Sequence, residues 1–140
     1  MKSPSFQINQ SGQGYPNVIK KSKFIASVAP VNSEKEAKVF IEKIQKQNHK
    51  ANHNCWAYRI YSPKGILLNE SDDGEPSGSA GKPILFILEK QNIVNTVVVI
   101  TRYFGGIKLG KGGLVRSYGK TTNEIIKAIG VRHFNSDLID

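Results

Sequence analysis

A glycine-rich, positively charged segment follows a β-branched apolar run in the second half of the chain. The run NTVVVIT occupies 95–101, and RYFGGIKLGKGG at 102–113 places five glycines and three cations in twelve residues. Backbone N–H groups at a helix start can hold an anion, and glycine lets that backbone approach a ligand closely. Three alternatives are open: an anion cradle, a nucleotide-hydrolysing loop, or a tight turn without a ligand. The neighbouring cations favour the anion cradle.

The same segment comes within one residue of a Walker A motif. Gly105, Gly110 and Lys111 match its G-x-x-x-x-G-K pattern, but Gly112 stands where Ser or Thr would bind Mg²⁺. This departure argues against nucleotide hydrolysis, and we expect neither a cofactor nor a metal. The candidate nucleic-acid or phosphate-binding residues are Arg102, Tyr103, Gly105, Gly106, Lys108, Gly110, Lys111, Gly113, Arg116 and Lys120.

A second polar cluster combines a histidine with three carboxylates. His53 precedes the alternating run NCWAYRIY, and Asp72, Asp73 and Glu75 follow the run ILLNES. If the two runs pair as a hairpin, these side chains meet near one sheet edge, where they suit acid–base chemistry or a divalent metal. No motif of fixed spacing such as HExxH is present, so we favour a structural loop or partner surface and assign no catalytic residue.

Positive charge is concentrated in one part of the 140-residue chain. The net charge is +9, and 102–132 contains seven basic residues against one acid, Glu124. A basic surface suits RNA or a ribosome-associated surface, with an acidic protein as the alternative partner. No apolar run approaches the roughly 20 residues that span a bilayer, and the N-terminus lacks a signal-peptide pattern. With a single cysteine, Cys55, we expect a cytoplasmic protein that does not contact membranes.

Periodicity predicts the elements that must position these residues. The predicted order is a strand within 17–31, a helix capped by Ser33 and Glu36, a hairpin of NCWAYRIY with ILLNES, a short helix with Pro83 in its first turn, a buried strand over 95–101, and a helix over 111–129. This order predicts an α/β or α+β two-layer sandwich, a mixed sheet with helices packed on it. We expect a flexible arm over 1–16, a domain over 17–132 and a tail over 133–140.

Four sequence blocks together resemble the YigZ/IMPACT family in its bacterial form. They are SKFIA, HNCWAYRI, SDDGEPSGSAGKPIL and VVVITRYFGGIKLGKGGLVRSYG, and the resemblance extends from about Val18 to Gly130. It implies an N-terminal family domain with a βαβ fold similar to the second domain of a small-subunit ribosomal protein. The motif positions that the resemblance points to are His53, Asp72, Asp73, Glu75, Arg102, Tyr103, Gly105, Gly106, Gly110, Gly113, Arg116 and Tyr118.

The resemblance also implies a role in the regulation of translation. Eukaryotic members restrain a kinase of a translation initiation factor, and a nucleic-acid or ribosome-linked role is suggested for bacterial members. We therefore expect a non-enzymatic RNA- or ribosome-associated binding domain. One alternative is a protein-interaction regulator whose basic face meets an acidic partner. The other is a hydrolase that uses His53 with Asp72, Asp73 and Glu75.

Overall fold

The computed structural model describes residues 4–135, which form eight strands and three helices. The strands are β1 (Ser5–Ile8), β2 (Gly12–Gln13), β3 (Asn17–Ile19), β4 (Ser22–Pro30), β5 (His53–Ser62), β6 (Gly65–Ser71), β7 (Thr96–Tyr103) and β8 (Val131–Phe134). The helices are α1 (Glu34–Gln47), α2 (Gly81–Lys90) and α3 (Gly110–Ile129). Within that range, no helix combines the length and apolarity needed to cross a membrane.

Strand β7 lies at the centre of a six-stranded sheet. The strand order is β2–β4–β7–β5–β6, and β3 also pairs with β4. Both neighbours of β7 run antiparallel to it, so β4 and β5 are parallel to each other and α1 connects them. The valines and isoleucine over 97–100 are fully buried, which explains why this strand occupies the centre of the sheet.

Helices cover both faces of the sheet. On one face, α2 and α3 pack against it through Leu88 and Leu114, in a core cluster that includes Val98 of β7. On the other face, Ile41 of α1 joins a second cluster that includes Val99 of β7. Neighbouring residues of β7 therefore contact different helices, because successive side chains of a strand point to opposite faces.

The predicted α+β sandwich is confirmed by the sheet and its three helices. The capping residue Ser33 accepts a hydrogen bond from the backbone N–H of Glu36, and Pro83 lies in the first turn of α2 as predicted. Two details differ from the prediction. The helices form a layer on each face, and every strand pair of the six-stranded sheet is antiparallel.

Two local predictions are wrong. The single strand predicted within 17–31 is a hairpin, because Lys20 and Lys21 have φ values of 45° and 66° and form a two-residue turn. The flexible arm predicted over 1–16 contains β1, which pairs with β8, and β2, which pairs with β4. Polar contacts that composition does not reveal hold β1 in place, such as the 2.9 Å hydrogen bond from the Gln7 side chain to the carbonyl oxygen of Asn95.

The predicted C-terminal tail begins inside an element of the structure. Strand β8 ends at Phe134, so the first two residues of the tail predicted over 133–140 belong to a strand. The remainder of that tail, over 136–140, lies outside the described residues. The limits of the domain itself therefore stay a prediction.

Candidate functional site

The side chain of Arg102, at the end of β7, is buried against a carboxylate. Arg102 is 5% exposed, and its Nη1 donates to both carboxylate oxygens of Glu75 at 3.0 Å. Its Nη2 donates to Ser22 Oγ at 3.3 Å. The guanidinium lies 5.8 Å from the ring centroid of Phe24 and 5.3 Å from that of Phe104. A buried arginine already paired with a carboxylate has no charge to offer an incoming anion. This pairing argues against the predicted contact of Arg102 with phosphate.

Glu75 also accepts a hydrogen bond from the helical side of the core. Tyr118 Oη donates to Glu75 Oε2 at 2.6 Å, and His53 Nε2 lies 3.4 Å from Glu75 Oε1. The Sγ of Cys55 lies 3.4 Å from Tyr118 Oη. Burial raises the pKa of the Cys55 thiol and of the Tyr118 phenol. Both groups therefore stay protonated at neutral pH, and the thiol is not a nucleophile.

The carboxylates of Asp72 and Asp73 hold the loop between β6 and α2 in place. Asp73 Oδ2 accepts a hydrogen bond from the backbone N–H of Asn54 at 2.7 Å. Asp72 accepts hydrogen bonds at 2.8–3.1 Å from the backbone N–H groups of Gly78, Ala80 and Gly81. Burial would raise the pKa of Asp72, but these N–H donors hold it below its usual value.

The structure brings the predicted secondary site together. His53 Nδ1 lies 2.8 Å from the carbonyl oxygen of Asp73, which places His53 beside the loop that carries Asp72, Asp73 and Glu75. All three carboxylates accept hydrogen bonds from the chain's own donors. Among residues 4–135, no three His, Cys, Asp or Glu side chains are grouped so that they could hold a metal ion. These contacts fasten the acidic loop, which carries Asp72, Asp73 and Glu75, to β5 and β7. We call them the latch.

Three glycines between β7 and the first residue of α3 are explained by the turn itself. A Cβ at Gly105 would lie 2.0 Å from the carbonyl oxygen of Lys21, so a larger residue does not fit there. Gly106 and Gly110 have φ values of 89° and 74°, which L-residues rarely adopt. A Cβ at either of these two positions would nevertheless meet nothing within 4 Å. The loop is therefore a tight turn whose backbone remains accessible from outside.

The first turn of α3 is uncapped and carries positive charge. The first N–H groups of any helix have no partner within the helix. In α3 no side chain caps these groups, and the first turn contains no acidic residue. The guanidinium of Arg116 folds back over this turn: its Nη1 lies 3.4 Å from the position that a Cβ at Gly112 would occupy. Lys108 and Lys111 are exposed nearby in sequence. Positive charge at a helix N-terminus is unfavourable unless an anion balances it.

A surface hollow of about 230 Å³ adjoins this turn. Its lining includes Ile19, Lys20, Leu109, Gly113, Arg116 and Lys120. Among residues 4–135, no acidic side chain contributes to its wall. In the part of the chain that the structure describes, no carboxylate lies within 4.0 Å of Lys20 or Arg116, whereas Lys120 forms an exposed 3.8 Å pair with Glu124. We call this feature the α3 hollow.

Sequence reasoning missed the lysines of the β3–β4 turn. Lys20 lines the α3 hollow, and Lys21 and Lys23 are exposed beside it. The run KKSK at 20–23 is the available signal, but a charge count restricted to 102–132 does not include it. Of the predicted residues, Tyr103 is half-buried, with its Oη 3.1 Å from Asn48 Oδ1. Cys55 and the motif residue Tyr118 are fully buried.

Comparisons with known proteins agree with this architecture. Residues 20–126 match the Impact N-terminal domain. The chain is 48% identical over 126 residues to IMPACT family member YvyE of Bacillus subtilis (strain 168), which covers 90% of this chain and 57% of that protein. A crystal structure of a hypothetical protein matches with a TM-score of 0.87 and 33% identity, over 96% of this chain and 66% of that one.

A structure of the two-domain translational regulator Yih1 is also similar. It matches with a TM-score of 0.59 and 27% identity, over 87% of this chain and 48% of that one. The matched part therefore spans about half to two thirds of the length of these three proteins.

Proposed function

The chain belongs to the IMPACT family, and on that premise we propose that it is a non-enzymatic domain that binds RNA or a ribosome-associated surface in the regulation of translation. The observation that carries the proposal is the α3 hollow, an open concavity lined by Lys20, Arg116 and Lys120, with no carboxylate in its wall among the described residues. The similarity to the translational regulator Yih1 supports the setting.

Phosphate groups are the ligand chemistry that this corner of the molecule fits best. Lys20, Arg116 and Lys120 supply charge from the walls, and Lys108 and Lys111 extend it over the loop. The uncapped N–H groups at the start of α3, those of Gly110, Lys111 and Gly112, supply donors. A Cβ at Gly106 or Gly110 would meet nothing within 4 Å, so the backbone at these two positions is open to a bound group. Contacts of this kind give affinity without reading base sequence.

The hydrolase alternative has no support in the geometry of the acidic loop. Glu75 already accepts from Arg102 and Tyr118, and Asp72 accepts from three backbone donors. A general base or a metal ligand needs an oxygen that can reach a substrate or an ion. Binding is therefore the function that the described contacts favour.

Charge reversal at the start of α3 tests the proposal. Anisotropy of a fluorescent single-stranded RNA measures affinity over a salt series for the natural protein and for Lys111→Glu with Arg116→Glu. We expect the reversal to weaken binding by about tenfold or more and to reduce the salt slope by about 1.4, because about 0.7 is lost per phosphate contact on a single strand. Lys38→Glu with Lys43→Glu on α1 is the control, since it makes the same charge change across the sheet.

Two results would contradict the proposal. One is RNA binding that is absent or independent of salt in the natural protein. The other is an equal loss of affinity in the α3 variant and the α1 control, which would reduce the effect to net charge. Pull-down before and after nuclease digestion identifies an acidic protein partner, because only binding to protein survives the digestion.

A further inference from the structure

A second hollow opens on the other side of the β3–β4 turn and contains exposed aromatic surface. It has a volume of about 420 Å³ and is lined by Pro16, Lys21, Lys23, Ile25, Tyr103 and Phe104. Lys23 pairs with Tyr103 where β4 begins and β7 ends, so these two strand ends form the floor of the hollow. We call it the aromatic hollow.

The ring of Phe104 is exposed and has partners on the protein side. Phe104 is 47% exposed, and its backbone N–H donates to Asn52 Oδ1 at 2.8 Å. The guanidinium of Arg102 lies 5.3 Å from the ring centroid and is itself immobilised by Glu75. A large apolar ring that is ordered but open to water is the arrangement that a stacking partner stabilises. The neighbouring Tyr103 is similarly restrained by its hydrogen bond to Asn48.

The two hollows are joined by the β3–β4 turn. Lys20 lines the α3 hollow, and the next residue, Lys21, lines the aromatic hollow. The turn packs directly against the β7–α3 loop, where a Cβ at Gly105 would collide with the Lys21 carbonyl oxygen. In the described part of the chain, neither wall contains an acidic residue. A chain of phosphates that leaves one hollow therefore meets further cations before it reaches the exposed ring.

We propose that the aromatic hollow takes an unpaired nucleobase stacked on Phe104, so that the ligand is single-stranded RNA and not a duplex. This inference rests on the proposed function, because the same strand would place its phosphates in the α3 hollow. Bases of a duplex are stacked on each other and cannot reach such a ring, whereas an unpaired base can. An acidic peptide would satisfy the lysines but would leave the aromatic surface uncovered.

Truncation of the ring tests the inference with two RNA probes. Affinity is measured for a fluorescent uridine oligomer and for an RNA duplex of matched length, with the natural protein and with Phe104→Ala. We expect a loss of about 5- to 150-fold for the oligomer, the range reported by alanine substitution of base-stacking residues. The duplex should bind with unchanged affinity, and the salt slope for the oligomer should stay the same because no phosphate contact is lost.

Matched variants separate stacking from damage to the fold. Phe104→Leu still covers Arg102 but lacks an aromatic face, so it should bind the oligomer as weakly as Phe104→Ala does. Phe104→Trp should restore binding. Phe86→Ala on α2 is the control, since Phe86 is 59% exposed and lines neither hollow. Thermal unfolding of each variant verifies that the domain remains folded.

The outcomes distinguish failure of this inference from failure of the proposed function. Equal loss of oligomer and duplex binding in Phe104→Ala, or full binding by Phe104→Leu, would overturn the stacking role while leaving phosphate binding intact. Insensitivity of both probes to Lys111→Glu with Arg116→Glu would overturn the proposed function. Capture of a protein that depends on Phe104 and survives nuclease digestion would assign the aromatic hollow to a protein partner and overturn the inference.

Discussion

Two arginines, one at the end of β7 and one in α3, have opposite environments. Arg102 is 5% exposed and paired with Glu75, whereas Arg116 is exposed and folds over the uncapped first turn of α3. Removing a charge from water is costly unless a partner compensates, so the buried arginine requires its carboxylate and the exposed one does not. The difference teaches that burial and the position of the acidic loop, not residue type, decide which cation can bind a ligand.

The largest expected effect comes from removing the carboxylate of the buried pair. Glu75→Gln leaves Arg102 without a counter-charge in a site where the Glu75 side chain is 2% exposed. We expect the free energy of unfolding to fall by about 3–5 kcal/mol, measured by urea denaturation. A loss below about 1 kcal/mol would show that Arg102 does not depend on Glu75, and the contrast with Arg116 would fail.

Removal of the loop anchor is expected to have an intermediate effect. Asp72→Ala deletes the acceptor of three backbone N–H groups, and we expect a loss of about 1–2 kcal/mol in the free energy of unfolding. RNA affinity of the folded protein should not change, since the latch and the α3 hollow are separate. Loss of affinity without loss of stability would contradict that separation.

The same carboxylate predicts a pH dependence of stability. The pKa of Asp72 is lower in the folded chain than in the unfolded chain, where it is about 3.9. Its contribution is therefore fully present above the unfolded pKa and is lost as pH falls through the folded pKa. Asp72→Asn should flatten this part of the acid-induced fall, measured by urea denaturation at a series of acidic pH values. Identical pH profiles for variant and natural protein would refute the assignment.

The smallest expected effect lies at the edge of the α3 hollow. Glu124 pairs with Lys120 at 3.8 Å, and both side chains are more than half exposed. Glu124→Gln should change the free energy of unfolding by less than about 0.5 kcal/mol. Because Lys120 would no longer be partly neutralised, RNA affinity should rise about twofold at low salt and converge at high salt. Weaker RNA binding would show that Lys120 is not a phosphate contact.

Local signals in the sequence predicted most of the fold. Each main element carries a signal within a few neighbouring residues: the capping box before α1, the β-branched run of β7 and the apolar stripe of α3. The arm was harder to predict, because Gln7 and Ile8 acquire their contacts from residues 88 positions away. The β3–β4 turn was missed because lysine is not a typical residue at positive φ.

The site divided into a part that sequence could predict and a part that it could not. Glycines and cations indicated a loop between a strand and a helix, and in the structure Arg116 is exposed on that helix, whereas its role in binding stays a prediction. The burial of Arg102 followed from a partner, Glu75, 27 residues away. Its contact required the register of β7 with its neighbours and the path of the acidic loop. Side-chain pairing of this kind depends on tertiary structure and leaves no periodic signal.

The most direct test compares the two arginines in one sample. The chain contains four arginines, Arg59, Arg102, Arg116 and Arg132, so their side-chain Nε–H signals can be assigned and followed by nitrogen-15 NMR as RNA is added. The predicted result is a progressive shift of the Arg116 signal that salt reverses, with the Arg102 signal unchanged. A shift of Arg102 with Arg116 unmoved, or no shift of either, would contradict the division between a buried latch and an open phosphate site.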